Sequence, residues 1–147
     1  MEINTASAAI SFARKLEEDS AKFYEDLSQK YPKGENVFLA FAKENRKNVV
    51  QIERAYYGVI TDALEGCFAF NMNPDEYILK TELAEETSLS EALDKAVEIE
   101  EKIIKFYSDA AEQSKSLMAD VPRAFILVVR KRENRESKLR SLLGKKG

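Results

Sequence analysis

The chain has 147 residues, of which 44% are hydrophobic and 33% charged, with a formal net charge of −3. That length suits one domain with its own core, and the composition fits a globular protein rather than a disordered one. Histidine is absent, which removes imidazole bases, Ser–His and Cys–His nucleophiles and imidazole metal ligands together.

The first apolar pattern is Ile10, Ala13, Leu16, Ala21, Tyr24 and Leu27, at the three-and-four spacing of an amphipathic helix. It stops at Pro32-Lys33-Gly34, a turn tripeptide. A second helix is predicted through Phe38, Phe41, Ala42, Val49, Ile52 and Tyr56, fading near Gly58. Residues 58–87 form a long connection that suits a crossover along a bundle, with a short helix expected between Pro74 and Glu86. A third helix opens at Ser88-Leu89-Ser90-Glu91, a capping box, and runs through Leu93, Ala96, Ile99, Ile103, Tyr107 and Ala110. The fourth is expected after Asp120 as N-cap, with Pro122 in the first turn and its end at Gly144. Its apolar face is Phe125, Val128, Val129, Leu139, Leu142 and Leu143. The sequence thus reads as all-α, one domain over residues 1–147, with two helical hairpins joined by a crossover.

The two hairpins repeat one another. Ala9 to Asp26 aligns without a gap on Ala92 to Asp109, with eight identities in eighteen positions, including Glu17-Glu18 on Glu100-Glu101 and Phe23-Tyr24 on Phe106-Tyr107. Phe38, Phe41 and Ile52 then align with Phe125, Val128 and Leu139, allowing the second hairpin loop four extra residues.

Only five Gly and three Pro leave little material for the turns of an all-β fold. One cysteine, Cys67, excludes an internal disulfide and reads as a small buried hydrophobe. The longest strongly apolar run, Ala124 to Val129, is too short to cross a bilayer, and a cytoplasmic location without membrane contact is expected. Charge is uneven. Arg130 to Gly147 holds eight basic residues against Glu133 and Glu136, and Asp75 to Glu101 holds ten acidic against two basic. Mutual neutralisation of these segments is expected; a basic fourth helix docking an acidic partner or nucleic acid is the alternative, with nucleic acid disfavoured by the overall charge. Tyr56, Tyr57, Val59 and Ile60 continue an apolar surface past helix two, which predicts a homodimer through that region.

The two Glu-plus-Phe-Tyr repeats, each Glu six residues before its Phe, and the long crossover together resemble the ferritin-like superfamily. The likeness is to short rubrerythrin-like proteins without a rubredoxin domain, and it covers nearly the whole chain. It implies a four-helix bundle and, in the family, a di-iron site whose remaining ligands are a Glu-x-x-His on helix two and another on helix four. Carried over residue by residue, the family's ligand positions are Glu17, Asn45, Asn48, Glu100, Arg132 and Arg135. A second register on helix four gives Asn134 and Ser137. Only Glu17 and Glu100 keep a ligand residue. Arg132 and Arg135 share the apolar stripe of helix four, where a guanidinium with five donors can bridge Glu17 and Glu100 and the two Asn amides can satisfy what remains. Tyr24 and Tyr107 read as core residues with one hydroxyl partner each.

The expected function is therefore a non-catalytic rubrerythrin-like module, structural or for interaction, with no catalytic residue and no cofactor. The alternative is a di-metal carboxylate protein in iron or peroxide handling, with two iron or manganese ions on Glu17, Glu100, Glu133 and Glu136.

Overall fold

The computed structural model describes residues 2–59, 70–114 and 120–146, with side chains described over 2–55, 70–114 and 121–143. Four long helices dominate: α1 (Ala6–Lys30), α2 (Glu35–Val59), α3 (Leu89–Ser114) and α4 (Asp120–Lys146). The chain is all-α; the described residues hold no β-strand beyond a single antiparallel bridge between Ile3 and Met72.

Local chemistry accounts for the helix ends. Thr5 caps α1 by accepting from the Ala8 amide at 3.1 Å. The Ser88–Glu91 box closes both ways, each side chain accepting from the other's backbone N–H at 3.1 Å. The Ser88 N–H, with the Ser88 hydroxyl beside it, holds the Glu91 carboxyl below its usual range. The fourth helix begins at Asp120 itself, one position earlier than an N-cap reading allows, and continues past Gly144. Between α1 and α2 the chain makes one 3₁₀ turn, Pro32–Gly34. There a Cβ on the buried Gly34 would come within 2.6 Å of the Phe38 ring, so the close approach requires glycine.

The helices pack in a ring: α1 on α2, α2 on α4, α4 on α3 and α3 on α1. Directions follow from paired side chains. Tyr24 meets Glu100 while Tyr107 meets Glu17, so α1 and α3 are antiparallel. Asn48 bonds Glu17 while Asn45 bonds Ser20, so α1 and α2 are antiparallel too. It follows that α2 and α3 lie on a diagonal and run the same way, and the chain joining them must return along the bundle.

The described part of that return is a strap over the seam between α1 and α3. Asn71 exchanges bonds with Gln113, Tyr77 donates to Asp109 at 2.6 Å, Lys105 reaches Glu76 at 2.9 Å, and Lys95 reaches the Glu82 carbonyl. The strap therefore descends α3 from its C-terminal end to its start. Tyr77 is its plug, edge-on to Phe12 of α1 at 6.2 Å and to Phe106 of α3 at 5.3 Å. Burial and the Asp109 bond push its phenol well up. Of the short helix expected between Pro74 and Glu86, only Pro74–Tyr77 is helical, as 3₁₀. Beyond it the chain is extended up to a turn in which the Thr87 N–H donates to the Ala84 carbonyl, and the Glu76, Glu82 and Ala84 carbonyls accept from lysines of the bundle.

The basic and acidic segments do meet, as expected: Arg132 and Arg135 of α4 face Glu100, and Arg140 reaches Glu101. Within the strap itself Lys105 of α3 pairs with Glu76, while Lys30, Lys95 and Lys102 donate to backbone carbonyls. Cys67 and Ile60, and the side chains of Tyr56, Tyr57 and Val59, lie outside the described residues, as does the surface expected to pair in a dimer.

Candidate functional site

A polar layer crosses the middle of an otherwise apolar core. Glu17, Asn45, Asn48, Glu100, Arg132 and Arg135 are each no more than 1% exposed. Each sits on the buried stripe of its helix, so the 3.6-residue period turns all of them inward, and the packing register of the four helices brings them to one level.

Arg132 stands at the centre. Its Nη1 donates to both oxygens of Glu100 at 2.9 and 2.8 Å, and its Nη2 donates to Glu17 Oε2 at 2.6 Å. Nη2 also reaches Ser20 Oγ at 3.1 Å. The bridge between the two carboxylates is the one expected from the sequence, in the register counted from Phe125. Arg135 lies one turn on. It donates to Asn45 Oδ1 at 2.7 Å, to the Phe41 carbonyl at 3.2 Å and to Glu44 at 2.6 Å, and passes within 3.6 Å of Glu100. Its guanidinium also lies over the Phe41 ring at 4.7 Å, a cation–π contact.

The tyrosines complete the layer with pseudo-twofold symmetry. Tyr24 of α1 donates to Glu100 Oε2 at 2.6 Å, and Tyr107 of α3 donates to Glu17 Oε2 at 2.8 Å. Asn48 donates to Glu17 Oε1 at 3.1 Å. Every group touching the two carboxyls is thus a donor, the environment an ionised carboxylate requires. Two guanidinium charges face two buried carboxylates, with the half-buried Glu44 at the edge. Burial raises both phenols well above the ordinary tyrosine value, and the neighbouring carboxylates push the same way. For Arg132, burial alone would lower the value; Glu100 and Glu17 outweigh it and hold the group well above its ordinary range.

The two asparagines divide the work unequally. Asn48 bonds a carboxylate, while Asn45 bonds Ser20 at 2.6 Å and Arg135, so Asn45 serves the guanidinium rather than Glu17 or Glu100. Ser20 and Glu44 escaped the sequence reading. Ser20 had a signal: it stands three residues after Glu17 on the same stripe, where the repeat has Ile103. The all-carboxylate alternative is corrected. Glu133 is exposed and Glu136 pairs with Arg140 at 3.1 Å, so neither reaches the layer that holds Glu17 and Glu100.

Chemically, the layer is an ion network built from the chain's own side chains, in which the buried Nε groups of Arg132 and Arg135 have no hydrogen-bond partner among the described residues. A metal ion between Glu17 and Glu100 would have to displace the Arg132 guanidinium, and the nearest other groups are two phenols, amides and a second guanidinium. That donor set does not fit a di-iron centre, which takes carboxylate and imidazole ligands. Comparison with family models, with curated proteins and with solved structures gives no significant match.

Proposed function

We propose that this protein is a metal-independent bundle of the ferritin-like, rubrerythrin-like type, in which Arg132 stands where di-iron proteins hold metal. On this reading it acts as a structural or interaction module, assembled as a homodimer, rather than as an enzyme. The observation that carries the reading is the placement of the Arg132 Nη atoms 2.6–2.9 Å from both buried carboxylates. A guanidinium does not give up its charge, and ejecting it would strand a buried cation at a cost of several kcal/mol. The diagonal, same-direction relation of α2 and α3 supports the ferritin-like arrangement, because it demands a long crossover between them.

The test is elemental analysis of protein expressed anaerobically in metal-supplemented medium. No stoichiometric iron, manganese or zinc is expected. Two metal ions per chain, retained through mild chelation, would replace this reading with the di-metal one.

A further inference from the structure

The bundle has two opposed seams, and the chain treats them differently. Over the α1–α3 seam it lays its own strap. From Pro74 to Glu86 that strap carries five acidic residues against one basic, with Tyr77, Leu79 and Leu83 turned onto the core. Lysines clamp it from α1 and α3. The α2–α4 seam has no covering segment among the described residues. It forms a groove of about 570 Å³ lined by Lys47, Val50, Arg54, Arg123, Ala124 and Leu127 among others.

Two observations say what this groove fits. Its floor is apolar: Val50, at 51% exposed, and Leu127, at 38%, lie side by side with Ala55 and Ala124 in the one groove. Its rim is cationic. Lys47, Arg54 and Arg123 are all exposed, and none has an ion-pair partner among the described residues. No acidic side chain among the described residues lines the groove. The pattern repeats that of the covered seam, apolar side chains beside cations, with no acidic occupant among the described residues.

We propose that the α2–α4 seam is a docking site for an acidic segment of a partner protein, one that carries apolar anchors among Asp and Glu residues as the chain's own strap does. Val50 and Leu127 take the anchors, and Lys47, Arg54 and Arg123 face the carboxylates. Nucleic acid fits less well. The described groove residues include no aromatic side chain for base stacking, and the acidic strap on the opposite face repels a polyanion. This inference rests on the interaction-module reading and names its partner class.

The probe is a fluorescein-labelled synthetic peptide with the sequence of residues 74–86, measured by anisotropy against the full-length protein. A scrambled peptide of the same composition and a DNA duplex serve as competitors. Saturable binding in about the micromolar range is expected, weakened at least about tenfold by raised salt. The double variant Lys47→Glu, Arg54→Glu should lose at least about tenfold in affinity, and Leu127→Ser should lose affinity at unchanged salt dependence. These positions are exposed, and circular dichroism confirms that the variants remain folded. Several outcomes overturn the proposal: no binding, equal binding of the scrambled peptide, preferential displacement by DNA, or no loss in the double variant. Self-association that the double variant abolishes also overturns it, by assigning the seam to a second copy. Metal analysis of the same preparation separates the failures: metal-free protein that ignores the peptide sinks only this inference, whereas metal-loaded protein sinks the reading beneath it.

Discussion

Arg132 shows what a buried charge costs and what it holds together. Removing it while Glu17 and Glu100 remain leaves two carboxylates facing each other in an apolar core, so Arg132→Leu should destabilise the protein by roughly 3–5 kcal/mol. The triple change to Leu at Glu17, Glu100 and Arg132 should recover much of that loss, because the charges leave together. Denaturant titration of the two variants checks the contrast; equal midpoints for wild type and Arg132→Leu would contradict the bridge. The tyrosines give a pH signature. Both bind their protons more tightly in the folded state. Their contribution to stability is complete below about pH 10, the ordinary tyrosine value, and is lost as pH rises through and above it. Of the six tyrosines, Tyr24 and Tyr107 should therefore ionise only in step with loss of the helical circular dichroism signal. Complete tyrosinate absorbance on a still-helical protein would contradict the burial and the bonds to Glu100 and Glu17. The Arg132 bridge was legible because stripe position and charge are both sequence properties. The Tyr–Glu crossings were not: which hydroxyl meets which carboxylate depends on the antiparallel offset of α1 and α3, and no local pattern encodes that offset.

At the scale of elements, the four helices were readable because their apolar period is long, and the start of α3 is written in the Ser88–Glu91 box. The first apolar residues, Ile10 and Phe38, stand three or four positions inside α1 and α2, and the Thr5 cap lies before that pattern begins. The strap was not readable. Residues 74–86 have acidic and apolar residues that read locally as a short helix, yet their carbonyls at Ala84, Glu82 and Glu76 accept from Lys30, Lys95 and Lys102 at distant positions. Tertiary contacts override local preference there. The turn at Pro32–Gly34 offers an element-scale prediction. Gly34→Ala would press a methyl group against Phe38, which is fully buried and stacked on Tyr24 at 6.2 Å. The ring cannot swing away without disturbing a phenol that bonds Glu100. A loss of about 1–3 kcal/mol is expected, typical of overpacking. Thermal unfolding checks it, and an unchanged midpoint would mean that the α1–α2 corner gives way more easily than its packing indicates.

For the whole molecule, the duplication in sequence becomes a near-twofold relation between hairpins, visible in the exchanged pairs Tyr24–Glu100 and Tyr107–Glu17. The relation is broken where function or stability needs it broken: Asn45 and Asn48 on α2 answer Arg132 and Arg135 on α4, so one hairpin contributes amides and the other cations. A symmetric choice would have buried either four cations or none. Assembly follows a different logic from this interior. The apolar run at Tyr56, Tyr57, Val59 and Ile60 motivates the homodimer, and light scattering at tens of micromolar, about the range for weak dimers, should show twice the chain mass. A monomer throughout would count against it.

The bond between Arg132 and Glu17 joins positions 115 apart in the chain, and this has a consequence for how the protein is made. A ribosome delivers Glu17 and Glu100 before the cation that neutralises them. Until Arg132 emerges, closing the first three helices would bury two acids without a counter-charge, which is disfavoured. The nascent chain is thereby kept from settling into a compact three-helix intermediate. Completion of the fourth helix supplies the counter-charge and the fourth wall in one step.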